Sequence, residues 1–295
     1  MRNFISKLSF KKSEPKKGKK ELGFTLLELI IVIILLGVMS VGISSFITLG
    51  TQTYLNVTNR DEILSSARFA IERLNRELRN AVPNSIRIHT NATSECLEFV
   101  PIKASTSYID IPVIPDAASS LISVIPFLDI NANPYQCNAT CLDKVTIYPL
   151  DNSDIYANPN QVLGQTFSLN SVNIINANEW QIALAGGNNI NFNADSPTNR
   201  LYIFESPVSY CLELDKLNRY EGYPVSNAAY VLPSEVATIQ PVLMAEQLSI
   251  TAVGTSFAFL PPTLQRNAIV QTSLHFTQNG EDNIFNNEIH IKNTP

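Results

Sequence analysis

The sequence predicts an α+β protein with one long N-terminal helix, made of a membrane half and an amphipathic half, packed on an antiparallel β-sheet head with long loop insertions. Three observations predict it. Residues 29–59 carry no charged side chain. Apolar residues from Leu64 to Leu78 then recur at helical spacing,. Beyond Pro83 the pattern becomes short apolar or alternating runs broken by Asn, Pro, Asp and Ser,.

The apolar run comes first along the chain. Leu29 to Leu49 is mostly apolar, and about 20 such residues at 1.5 Å rise cross a bilayer core. The 23 residues ahead of Phe24 hold eight basic side chains (Arg2, Lys7, Lys11, Lys12, Lys16, Lys17, Lys19, Lys20) against Glu14 and Glu21, a charge of +6. The remainder has 13 basic and 24 acidic residues, a charge of −11. Basic residues ahead of a single span hold the N-terminus in the cytoplasm and send the head outward. An acidic head argues against nucleic acid as a partner.

The helix is expected to continue past the membrane. Leu64, Ala67, Ile71, Leu74, Leu78 and Ala81 step by three and four residues and define a packing stripe,. Arg68, Glu72, Arg73, Arg76, Glu77 and Arg79 occupy the other faces, with Glu72 to Arg76 and Arg73 to Glu77 at neighbouring i,i+4 positions,. Pro83 cannot continue the helix. Residues 24–82 therefore read as one helix, with residues 24–49 as the transmembrane part and residues 50–82 as the amphipathic part. Gly37, Gly42, Ser40, Ser44 and Ser45 interrupt the apolar half without a proline, and the helix is expected to run through them,.

Residues 83–295 form the β-rich head. Expected strands are 85–89, 96–101, 144–149, 200–205, 208–214, 247–253, 269–277 and 288–292. No long helices alternate with them, so antiparallel pairing is expected. Segments 103–143 and 152–199 read as long surface insertions. Cys96, Cys137, Cys141 and Cys211 all follow the span, on the side where disulfides form,. Of the three possible pairings, Cys137 with Cys141 and Cys96 with Cys211 is favoured.

The head offers no evident catalytic set. Its histidines are His89, His275 and His290, with no Gly-x-Ser-x-Gly elbow and no metal-spaced cluster,. Asp151-Asn152-Ser153-Asp154 and Gly280-Glu281-Asp282-Asn283 read as solvated turns, because neither fits a twelve-residue calcium loop,. No cofactor and no metal are expected, and an enzyme is not.

The junction before the apolar run reads Lys19-Lys20-Glu21-Leu22-Gly23-Phe24-Thr25-Leu26-Leu27-Glu28-Leu29-Ile30. This string resembles the leader of type IV prepilins and pseudopilins. The resemblance implies cleavage after Gly23 by prepilin peptidase, N-methylation of Phe24, and residues 1–23 as the removed leader. It also implies that Glu28 neutralises the Phe24 amine of a neighbouring subunit during assembly.

An acid in a membrane helix costs about 2.5–3.5 kcal/mol at the centre and less near the edge, so it needs such a purpose. The implied partners are other minor and major pilins and the inner-membrane assembly platform. The Arg-rich string from Arg68 to Arg79 is similar to W-type minor pilins and to J-type pseudopilins of type II secretion. The segments Leu243 to Leu248, Arg266 to Val270 and Ile289 to Pro295 resemble biogenesis subunits of mannose-sensitive haemagglutinin pili. The expected role is a non-catalytic minor pilin that is held in the inner membrane before assembly and then enters the pilus or primes its assembly, at the tip, with a type II secretion pseudopilin, a tip adhesin and an anchored periplasmic enzyme as rivals.

Overall fold

The computed structural model describes residues 23–138, 140–185, 189–225, 239–249, 256–263, 266–278 and 280–291. Leader residues 1–22, the expected strand beyond Ser249, and residues 292–295 lie outside them. The chain divides into two compact units, residues 1–59 and 60–295.

Helix α1 (Leu26–Leu78) opens the described chain, followed by β1 (Arg87–Thr90) and β2 (Ser94–Phe99). The next hundred or so residues hold β3 (Ala104–Asp110), β4 (Leu121–Val124), β5 (Lys144–Ile147) and the single turn α2 (Asn152–Ile155). They continue with β6 (Leu163–Gly164), β7 (Thr166–Ile174), β8 (Trp180–Leu184), β9 (Asn191–Phe192) and β10 (Arg200–Phe204). The chain ends with β11 (Val208–Glu213), β12 (Lys216–Glu221), β13 (Val242–Glu246), β14 (Phe257–Leu260), β15 (Ala268–Gln278) and β16 (Glu281–Ile291).

The predicted architecture of a long helix followed by an antiparallel head is what the structure shows. Glycines 37, 42 and 50 are accommodated within α1 without a break. The helix stops at Leu78, before the expected residue 82, because backbone pairing captures the chain. Val82 N–H donates to Val100 O (2.8 Å), Ile102 N–H donates to Asn80 O (2.8 Å), and Ala81 bridges Pro101. Asn80 and Ala81 instead donate to the carbonyls of Glu77 and Leu78 at 3.1 Å, the tightened last turn common at helix ends,.

In the second unit the buried face of α1 consists of Ile63, Ala67, Ala70, Leu74 and Leu78. Leu64 and Ile71 are half-buried beside it. The seam thus steps by four, three, four and four residues, slightly rotated from the stripe read in the sequence. It packs on two sheets, β1-β2-β11-β12-β13 and β14-β15-β16. Leu97, Tyr210, Leu212, Val270, Leu274 and Phe276 supply much of their inner faces. Leu74→Ala, at a side chain 1 % exposed, is expected to destabilise this core by about 2–5 kcal/mol, read by urea unfolding of the full chain in detergent.

The largest departure from the sequence reading lies in segments 103–143 and 152–199. They are not surface insertions. Strands β10-β3-β4-β8-β7-β5 close into an antiparallel barrel with its own core of Ile122, Val124, Val145, Phe167, Ile182 and Leu201, among others. The strands are short and their apolar residues alternate, as in the buried Trp180, Ile182 and Leu184 of β8, so Asn-rich connections dominate the composition. The barrel is inserted between neighbouring strands: β2 and β11 pair directly, with Phe99 opposite Val208.

A third buried cluster of Val82, Val100, Ile155, Tyr156, Tyr202 and Phe204 joins barrel to host sheet. Arg87 lies 3.7 Å over the Tyr156 ring, and its Nε is 2.7 Å from Glu98 Oε1. The buried Glu98 also accepts from the Tyr223 hydroxyl at 2.9 Å. A second buried carboxylate, Glu95, accepts from the backbone N–H groups of Ser256 and Phe257 at 3.2 and 2.8 Å and ties β14 to β2. These acceptor bonds satisfy charges that are costly to bury alone.

Candidate functional site: the N-terminal assembly segment

Thr25 begins the helix. Its Oγ1 accepts from the Glu28 backbone N–H at 3.3 Å, and its carbonyl accepts from Leu29 N–H at 3.2 Å. Thr25 is therefore the N-cap and Glu28 the third helical residue, the Thr-x-x-Glu spacing of a capping box. In the first turn a carboxylate meets the positive end of the helix dipole, a gain of about 0.3–1 kcal/mol. Sequence reading singled out Gly23, Phe24 and Glu28 and passed over Thr25, although the Thr-x-x-Glu signal was there to find.

Among the described residues of its own unit, nothing packs against this segment. Phe24 is 80 % exposed, Glu28 is exposed, and a methyl group at Gly23 would meet no atom within 4 Å. Packing among the described residues therefore sets no demand for glycine at position 23. The same holds for the apolar surface from Leu26 to Val57, which stays exposed in this unit. A patch of that extent marks a membrane or protein contact, and α1 is long and apolar enough to cross a bilayer,.

The polar side chains within that stretch are suited to such surroundings. Ser40, Thr48, Thr51 and Thr53 donate their hydroxyls to the carbonyls of Leu36, Ser44, Ile47 and Leu49, at 2.7–2.9 Å and four residues back. Their hydrogen-bonding demand is met inside the helix, as hydrocarbon requires.

At the other end α1 is held by charge. Arg73 Nε lies 3.0 Å from Glu77 Oε1, and Arg219 Nε of β12 lies 2.9 Å from Glu77 Oε2. Arg219 also reaches Glu221 at 2.7 Å. Burial alone would lower the Arg219 pKa, and the Glu77 and Glu221 carboxylates reverse that and raise it,. The neighbouring Tyr210 hydroxyl is pushed well above its ordinary range, first by burial and then by the Glu77 charge.

The structure pairs Cys96 with Cys211 and Cys137 with Cys141. The first bridge joins register partners on β2 and β11, beneath Tyr220 and Tyr223. The second closes a short loop on the barrel.

The three histidines lie on separate strands, β1, β15 and β16. Among the described residues no group of three or more His, Cys, Asp or Glu side chains is placed to hold a metal ion. Asp151 caps α2 in a capping box with Asp154, and Gly280 (φ 82°) sits in the turn of the β15–β16 hairpin, where Thr277 donates to Asp282 at 2.7 Å. Both acidic turns thus have local structural partners.

Residues 18–44 match the model of the prokaryotic N-terminal methylation motif. No curated protein and no solved structure matches the chain. The matched stretch covers the Gly23-Phe24 junction, Glu28 and the apolar first half of α1. Such a motif implies processing by prepilin peptidase, assembly with other pilins and anchoring by a single apolar helix near the N-terminus. With that motif, the long helix and the antiparallel head, the chain is a type IV pilin-like or pseudopilin-like protein.

Proposed function

We propose that the chain is a minor type IV pilin, of the kind that serves mannose-sensitive haemagglutinin pili, with no catalytic role. Its helix joins other minor and major pilins, and its large head primes assembly or sits at the tip. Before assembly the basic N-terminus is cytoplasmic and the head periplasmic, following the charge split of +6 against −11,. The observation that carries the reading is the N-terminal segment: an unpartnered apolar helix whose only early acid, Glu28, sits in a capped and exposed first turn.

Deleting the protein is expected to abolish surface filaments. Loss of exoprotein secretion with filaments intact would instead assign it to a type II secretion pseudopilin, which shares the N-terminal motif. Loss of attachment with normal filament numbers would assign it to adhesion.

Processing supplies a sharper test at one residue. Gly23→Ala is expected to slow leader removal about tenfold or more, a loss of about 1.4 kcal/mol in the transition state. Because a Cβ at Gly23 meets nothing within 4 Å among the described residues, folding of the variant should be unchanged. N-terminal sequencing of the membrane-bound protein reads the outcome: a Phe24 terminus formed at the normal rate in the variant refutes the demand for glycine, and a wild-type terminus other than Phe24 refutes cleavage at this junction.

A further inference from the structure

Strand β16 is the last strand of its sheet, with β15 on one edge and, among the described residues, no strand on the other. The hydrogen bonds of β15 fix which backbone groups face that free edge. Ser273 N–H donates to Ser256 O at 2.8 Å, Thr277 N–H donates to Gln247 O at 2.9 Å, and the His275 carbonyl accepts from Ser249 N–H at 2.8 Å. Odd-numbered residues of β15 thus bond away from β16 and even-numbered ones toward it, since the direction alternates along an antiparallel strand. Register places those even residues opposite Asn283, Phe285, Asn287 and Ile289. The amides and carbonyls of Asp282, Ile284, Asn286, Glu288 and His290 are left pointing outward, and all five residues are exposed.

Natural proteins blunt such edges with a bulge, a proline or a lysine. β16 has none of these: its pairing with β15 runs without a register shift over all 11 residues, and Glu281 to Ile291 holds no Pro and no Lys. Its outward carboxylates are held by neutral donors. The Thr277 hydroxyl donates to Asp282 Oδ1 and the Gln271 amide to Glu288 Oε1, each at 2.7 Å. These bonds orient the two side chains and leave their charge in place. Beside them lies a cavity of about 350 Å³ lined by Gln271, Ser273, Asn286 and Glu288 among others, wide enough for a long side chain.

We propose that β16 is a β-augmentation site for an extended, basic strand of another protein. In that mode backbone bonds supply affinity and side chains at alternate positions supply choice. Residues of an antiparallel partner that lie opposite Asp282 and Glu288 share the face of those carboxylates, where opposite charges attract and like charges repel. The partner is expected to carry Lys or Arg at both places, with an apolar residue opposite Ile284. A second copy of this chain suits the edge poorly, because each copy carries −11 beyond the leader,. The site lies in the head and does not depend on which apparatus the helix joins.

The test is fluorescence anisotropy of the full-length protein in a non-ionic detergent with the labelled peptide Thr-Lys-Thr-Thr-Thr-Val-Thr-Lys-Thr. A second peptide replaces both lysines by glutamate, and a third carries methyl groups on the backbone nitrogens of the lysines and the valine. The basic peptide is expected to bind, and the other two about tenfold less tightly or worse, through lost charge pairing and lost hydrogen bonds.

Asn286→Pro removes an outward N–H and no bond to β15, a place where an edge strand accepts proline. It should keep the thermal midpoint and weaken the basic peptide about fivefold or more. Glu288→Lys should narrow the preference for the basic over the acidic peptide about fivefold or more. The methylated peptide decides the matter if Asn286→Pro does not fold. No binding of the basic peptide, equal binding of the methylated one, unchanged binding in folded Asn286→Pro, or an unchanged preference in Glu288→Lys would each overturn the proposal. A dimer that Asn286→Pro splits, with no peptide bound, would give the edge to a second copy instead.

Discussion

Glu28→Ala is expected to be processed and inserted like the wild-type protein, yet to enter filaments about tenfold less well or worse, a loss of about 1.4 kcal/mol or more in subunit association. Glu28 does little inside its own chain compared with what it offers outside. Inside, it contributes about 0.3–1 kcal/mol to the first helical turn through the dipole, and the Thr25 cap at 3.3 Å uses the Glu28 backbone, which alanine retains. Insertion of the apolar helix should become easier without the carboxylate. The folded chain thus loses little, and the missing interaction is one that awaits another subunit.

Glu28→Gln separates charge from hydrogen bonding. If the carboxylate neutralises the Phe24 amine of a neighbour, glutamine should fail as alanine does. If a neutral hydrogen bond suffices, glutamine should restore incorporation. The measurement is the ratio of the protein in sheared filaments to that in membranes. Incorporation of Glu28→Ala at the wild-type ratio rules out the amine pairing.

The parts of this fold that were legible in the sequence are those where one physical demand governs many consecutive residues. A bilayer excludes charge over a whole span, so residues 29–59 announce α1. The amphipathic half was legible as a helix but less so as a surface, since Leu64 and Ile71 compete with Ile63 and Ala70 for the inward positions. Only the approach of the sheets settles that choice, and Ala70 favours a close approach. The disulfide partners were favoured from spacing, and their register as direct neighbours on β2 and β11 emerges only once the strands pair.

The barrel was illegible for the opposite reason. Each of its strands is four to nine residues long and becomes stable only through partners distant in sequence, such as β4 with β8 or β5 with β10. Local pattern carries little of that information. The final hairpin shows the same limit on a smaller scale. β16 runs from Glu281 to Ile291, whereas the sequence suggests a strand only from residue 288, because between 281 and 287 the half-buried positions are Asn283, Phe285 and Asn287 while Ile284 is exposed, so apolar and polar residues do not alternate. Pairing with β15 along its whole length draws them into the strand.

Removal of the Cys96–Cys211 bridge, by the double change Cys96→Ala and Cys211→Ala, is expected to cost the head roughly 5 kcal/mol. The two cysteines are 115 residues apart, and closing a loop of that length restricts the unfolded chain by about that amount in the entropy model. The full value applies only if the enclosed barrel unfolds together with the host sheet, since a folded barrel would already hold the two ends together. Residues 60–295 form one compact unit, and the cluster of Val82, Val100, Ile155, Tyr156, Tyr202 and Phe204 packs across the junction, so the two are expected to unfold as one. Trp180 is the sole tryptophan and lies in the barrel core, while α1 dominates helical circular dichroism. The two signals should therefore follow a single transition that shifts together in the variant. A barrel transition that stays in place while the helix signal falls, with a loss of only about 1 kcal/mol, would show instead that the barrel folds alone and that the bridge merely closes its neck.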